Sequence, residues 1–266
     1  MSSSIEPPKP PRRPDPAPGY RFGPFVFVPE FRATSGRDPW AHRKGEPRVF
    51  ALLWSLYLMA SAMLTIFASR ALTPPALEQY RYGCRAMVIM IAIGTVILWP
   101  ATRLSQAPPR RPARAALIDM LVLLGPVQVV IWPMPVLTWW SFEMTAGLVA
   151  VVASWTALSC ALVALGSGSR SMLLRSMLML LCMVAVLTGP LLMFMSVSAD
   201  PTPRWLSLLS PITALWAIAE APGSRGGAPS GGEWWLIAAP AIVGAVLWIA
   251  AAMRRFGEAC EEAPTA

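Results

Sequence analysis

Two interruptions of long apolar runs carry the groups best placed for chemistry. Gly125-Pro126, followed by Gln128, breaks one run, and Thr188-Gly189-Pro190 breaks another. Proline removes a backbone N–H and its ring clashes with the preceding turn, so each break frees a carbonyl oxygen. At membrane depth a freed carbonyl must meet a protein group or line a water-filled cavity. Broken helices of this kind build substrate sites in transporters. Gly and Pro also serve simply to kink membrane helices. Both readings stay open from the residues alone, and Gln128 and Thr188 are the polar side chains to test.

Asp119 is the second feature. It lies about one turn inside the inner end of the third apolar run, where a carboxylate must be paired or hydrated. A proton or ion relay needs a second acid at that depth, and the sequence has none; Glu143 falls at the opposite interface. The reading favoured is a structural ion pair with Arg114 or Arg175, with Arg170 a third neighbour. Other chemistry is excluded by composition. The one histidine, His42, lies in a polar tail, and Cys84, Cys160, Cys182 and Cys260 are scattered without metal-ligand spacing. No catalytic, cofactor or metal constellation is present, and no enzyme activity is expected.

These residues need elements to hold them. The chain has 266 residues, 55% hydrophobic and 14% charged, with a mean hydropathy of +0.53. Soluble domains carry about 25% charged residues. Six apolar runs follow one another, near 49–68, 86–101, 115–139, 145–165, 176–197 and 234–253. A bilayer core needs roughly 20 apolar residues per helix, so the expected fold is all-α and polytopic, with six membrane-spanning helices. The expected organisation is a proline-rich disordered cytoplasmic tail over 1–47, a membrane domain over 48–256 and a short cytoplasmic tail over 257–266. In the first tail, Tyr20, Phe22, Phe25, Phe27 and Phe31 form an aromatic island. It reads as a segment lying on the membrane or on the protein's own cytoplasmic face, or else as a docking strand for a soluble partner.

Charge orients the spans. Arg70, Arg81, Arg85, Arg204 and Arg225 fall on outer segments, and the other 17 of the 22 cations fall on inner ones. That bias places both termini in the cytoplasm of an inner-membrane protein. It also accounts for the net charge of +8 without nucleic acid. Between the fifth and sixth runs lies a 35-residue outer segment, 198–232, that is not uniformly polar. Trp205, Leu208, Leu209, Ile212, Leu215 and Trp216 recur at helical spacing. Ser210-Pro211 restarts the pattern, with serine placed to cap and proline at the first helical position. Two short helices, re-entrant or lying in the outer interface, are expected there.

Together these features resemble the membrane subunit of an ABC-2-type transporter. The resemblance covers the layout of 49–255: six helices, both ends inside, and a short helical pair outside before the last helix. Ser210-Pro-Ile-Thr-Ala-Leu215 is similar to the proline-bearing segment at that place in the family. It implies a permease for export, partnered by the lipid bilayer, a separate ATPase subunit and a second permease copy. The chain itself has no Walker A sequence. It departs from the family between the second and third runs, where Pro108, Pro109 and Pro112 make a poor coupling helix. The alternative is a non-transporting membrane scaffold that recruits a cytoplasmic partner through its proline-rich tail.

Overall fold

The computed structural model describes residues 20–22, 25–27, 46–67, 77–106, 109, 112–169, 171–195, 203–220 and 227–261. Most of the two expected tails, and all of residues 221–226, lie outside the described residues. The chain divides into two units, Met1–Ala41 and His42–Ala266. In the first, β1 (Tyr20–Phe22) and β2 (Phe25–Phe27) pair antiparallel, with Tyr20 opposite Phe27. Every other described element is helical.

The helices of the second unit are α1 (Glu46–Ala62), α2 (Leu77–Ile93), α3 (Trp99–Ser105), α4 (Pro112–Ile131) and α5 (Met134–Thr138). They continue with α6 (Phe142–Gly168), α7 (Met172–Met195), α8 (Arg204–Ser207), α9 (Pro211–Ile218) and α10 (Glu233–Glu261). A π turn, Met63–Phe67, extends α1, and a second, Gly94–Leu98, joins α2 to α3. Among the described residues, five helical stretches are long and apolar enough to cross a membrane: Tyr80–Ser105, Pro112–Thr138, Phe142–Gly168, Met172–Met195 and Glu233–Met253. The first expected span appears as a shorter apolar helix, Phe50–Thr65.

Local signals explain the boundaries. Ser141 caps α6 by accepting the Met144 N–H at 3.1 Å, and Glu143 sits in the first turn, where the helix dipole favours an acid. Pro133 stops α4, and Trp139 closes α5 in the left-handed region, at φ 59°, with its N–H bonded to Pro135 O at 2.8 Å. Glu233 opens α10 with the carboxylate half of a capping box: its side chain takes the Ser230 N–H at 2.7 Å, while its own N–H closes a turn on the Ser230 backbone carbonyl at 3.0 Å.

The most enclosed helix is α6, which meets α10, α4, α9, α3, α7 and α2. Its side chains alternate small and branched, so neighbours approach closely, as membrane helices without a strong hydrophobic drive require. Fully buried Met87, Ile91, Leu123, Ile131, Leu148, Leu215 and Ile218 form the centre of the packing. At the α2 π turn the Trp54 and Tyr57 rings, stacked at 5.2 Å, lie where a side chain on Gly94 would stand. A π turn shifts the hydrogen-bond register and frees a carbonyl. Here the Tyr57 hydroxyl donates to Met90 O at 2.7 Å, four residues before Gly94.

Candidate functional site

The break in α7 is filled by α9. Pro190 has no N–H for the carbonyl of Val186, four residues earlier. The Ser210 hydroxyl donates to that oxygen at 2.9 Å, and Ser210 is fully buried. Gly189 makes the approach possible, because a methyl there would overlap the side chains of Ser210 and Thr213. Thr213 in turn donates to Ser207 O at 2.5 Å, tying α9 to α8. Sequence spacing placed Ser210 as a side-chain cap. It is instead spent on α7, and α9 begins with its backbone alone, Ala214 N–H to Ser210 O at 2.9 Å. Burial of α9 also extends beyond the apolar positions picked out by helical spacing. Pro211, Thr213, Ala214, Leu215, Ala217 and Ile218 are all buried, while Trp205, Leu209 and Trp216 are the exposed members.

The other end of α9 is held by an arginine. Arg85 Nε donates to Ala219 O at 2.8 Å, at the C-terminus of α9. Its guanidinium lies over the Trp216 ring, at 5.0 Å, and over the Tyr82 ring, at 5.5 Å. Only 8% of this residue is exposed. One turn earlier, Arg81 Nε donates to Thr138 O, the last residue of α5, at 3.1 Å. Carbonyls at a helix C-terminus lack intrahelical donors and carry partial negative charge, so both arginines meet a matched acceptor. Nearby, Arg204 pairs with Glu233 at 3.2 Å and donates to Gly227 O at 2.6 Å, fastening α8 to the start of α10.

At the opposite end Asp119 is gripped by Arg103, through Nε at 2.5 Å and Nη2 at 2.6 Å. Arg103 also donates to Gln106 Oε1 at 3.0 Å and lies 5.5 Å over the Phe50 ring. This corrects the expected partners. Arg114 is exposed, and Arg175 is turned to backbone carbonyls, Ser169 O at 2.7 Å and Gln106 O at 3.4 Å. Arg103 wins because it reaches Asp119 across a six-residue connection with both nitrogens of its planar fork.

The two sequence-predicted breaks are not brought together. α4 packs on α6 and α1, whereas α7 packs on α9, α3 and α6. Gly125 faces open space, and Gln128 accepts from Trp132 Nε1 at 2.9 Å on its own helix. Near Pro126, Trp54 Nε1 donates to Leu123 O at 3.0 Å. Thr188 donates to Val184 O at 2.6 Å within α7. A groove of about 400 Å³ lies elsewhere, between α4, α6 and α10, floored by Ala150, Ala153, Ser154 and Ala157. Its serine is already bonded to Val151 O, and the rest of its lining is alanine, larger aliphatic side chains and Trp234. Among the described residues no group of three or more His, Cys, Asp or Glu side chains is placed to hold a metal, and Cys84, Cys160 and Cys182 are buried free thiols. No protein-family model, curated protein or solved structure matches this chain.

Proposed function

We propose that this multi-pass integral membrane protein crosses the inner membrane six times, keeps both termini in the cytoplasm, and is the permease subunit of an ABC-2-type export system with a separate ATPase. The observation that carries the reading is α8–α9, two short helices meeting at Ser210-Pro211, with α9 packed against α2, α6 and α7. This is the outer helical pair of the ABC-2 layout, and its position supports a re-entrant element. The sixth crossing is supported by α1 and its π turn, which form 22 continuous helical residues, about 30 Å at the helical rise.

Helix direction supports the count. Gly147, near the start of α6, lies against Pro229, just before α10, and Gly244 lies against Leu158. The two helices therefore run parallel. With α7 crossing between them, a non-crossing outer segment before α10 gives that parity, and a seventh crossing would reverse it.

The test is co-expression with a candidate ATPase subunit from the same genome, followed by purification and reconstitution. The two should purify together, and ATP hydrolysis should depend on the membrane chain. An ATPase that purifies alone, with unchanged hydrolysis, refutes the export reading. One observation favours the second reading, a membrane scaffold. Six residues between α3 and α4 leave no room for a helix that contacts an ATPase. A scaffold would instead lose its soluble partner when residues 1–47 are deleted.

A further inference from the structure

We propose that Arg85 is the latch of a displaceable plug: it holds α9 in the break of α7, and its release opens the bundle between α2, α6 and α7. The seat has two polar fastenings. At one end Ser210 satisfies the Val186 carbonyl that Pro190 leaves without a donor. At the other, Arg85 satisfies the Ala219 carbonyl at the α9 C-terminus. Between them, Thr213 is bonded to Ser207 O and Ser210 O, within the pair itself. The rest of the hold is apolar packing of Ala214, Leu215 and Ile218, which is non-directional.

Arg85, placed on an outer segment by its sequence position, lies inside the span-length helical stretch Tyr80–Ser105, and a buried cation in a membrane span is costly and marks function. Arg85 is spent on this short helix: among the described residues no carboxylate lies within ion-pair distance of it. Its charge is balanced by a helix terminus, two aromatic rings and, at longer range, the Glu220 carboxylate just beyond Ala219, which the departure of α9 would largely remove. Withdrawal of α9 would expose the Val186 carbonyl and the Gly189-Pro190 break of α7, which the closed bundle covers. Arg81 makes the matching bond to α5 rather than α9, which supplies an internal control. The inference builds on the outer-pair reading but requires no ATPase.

Accessibility of Ala214, which is 1% exposed, reads the latch. The full chain would carry Ala214→Cys with its four native cysteines replaced by serine or alanine, in lipid nanodiscs, and would be labelled with a water-soluble maleimide. In the Arg85→Met background labelling should accelerate roughly ten- to a hundredfold, the range expected for losing a charge-assisted hydrogen bond. Arg81→Met should leave the rate unchanged, and Arg85→Lys should fall between, since a point charge keeps the attraction without the fork. A second reporter, Ala161→Cys on the fully buried inner half of α6, should stay protected throughout. Equal protection of Ala214→Cys in folded Arg85→Met protein overturns the proposal, leaving apolar packing as the whole hold. So does parallel exposure of Ala161→Cys, which makes Arg85 a keystone of the fold and not a latch. Equal acceleration by Arg81→Met overturns it as well.

Discussion

Asp119 pairs across chain distance rather than with the nearest cations in the sequence, and the consequence is measurable. Asp119→Asn should cost roughly 1–3 kcal/mol, below the 3–5 kcal/mol of a fully buried pair because Arg103 retains some solvent. Arg114→Ala should change stability by less than about 0.5 kcal/mol, as exposed substitutions do. Thermal unfolding of the detergent-solubilised protein separates the two, and equal losses would reinstate Arg114 as the partner. Gly189→Ala is a second residue-scale case. The added methyl has no room beside Ser210 and Thr213, so overpacking should cost about 1–3 kcal/mol. At Gly125, where nothing lies within 4 Å, the same change should be neutral or stabilising in unfolding measurements. Sequence reasoning paired Gly125-Pro126 with Gly189-Pro190 because the motifs are alike. It had no means of seeing that one faces outward while the other receives a helix.

At the scale of elements, the tie between α7 and α9 is a double-mutant question. Ser210→Ala alone leaves the buried Val186 carbonyl without a partner and should cost roughly 1–3 kcal/mol. In a Pro190→Ala background, a restored amide at position 190 takes that carbonyl, and the same serine change should cost little. Additive losses would show that Ser210 acts by some route other than the proline-freed oxygen. The existence of α8 and α9 was legible, because Ser-Pro and apolar spacing are local signals. The burial of α9 on nearly all sides was not, since its surroundings come from α2, α6 and α7, which no periodicity within 205–219 reports. The helix boundaries show the same division. Ser141, Pro133 and the Ser230–Glu233 turn are local and mark their ends, whereas the π turn at Gly94 answers to two rings on α1.

For the whole molecule, the parallel run of α6 and α10 predicts that a reporter fused after Arg255 lies on the same side as the N-terminus. Cysteines introduced at 70–79, 140–144 and 198–202 should be labelled from outside intact cells. A C-terminal reporter active only outside would remove the six-crossing arrangement. Polytopic architecture was legible from the apolar runs because the bilayer imposes length and composition directly. Partner contacts were not, since they depend on which faces meet. The Arg85–Ala219 bond joins residues 134 positions apart, and this separation has a consequence for synthesis. At about 5–20 residues per second, Arg85 emerges on the order of ten seconds before its acceptor exists. During that interval the nascent α2 carries an uncompensated cation that only water, lipid headgroups or an insertion factor can satisfy. Closure of this end of the bundle is therefore a late event, completed by nearly the last element made, and a chain ending before residue 198 would present quality-control proteases with both an orphan arginine and an orphan carbonyl.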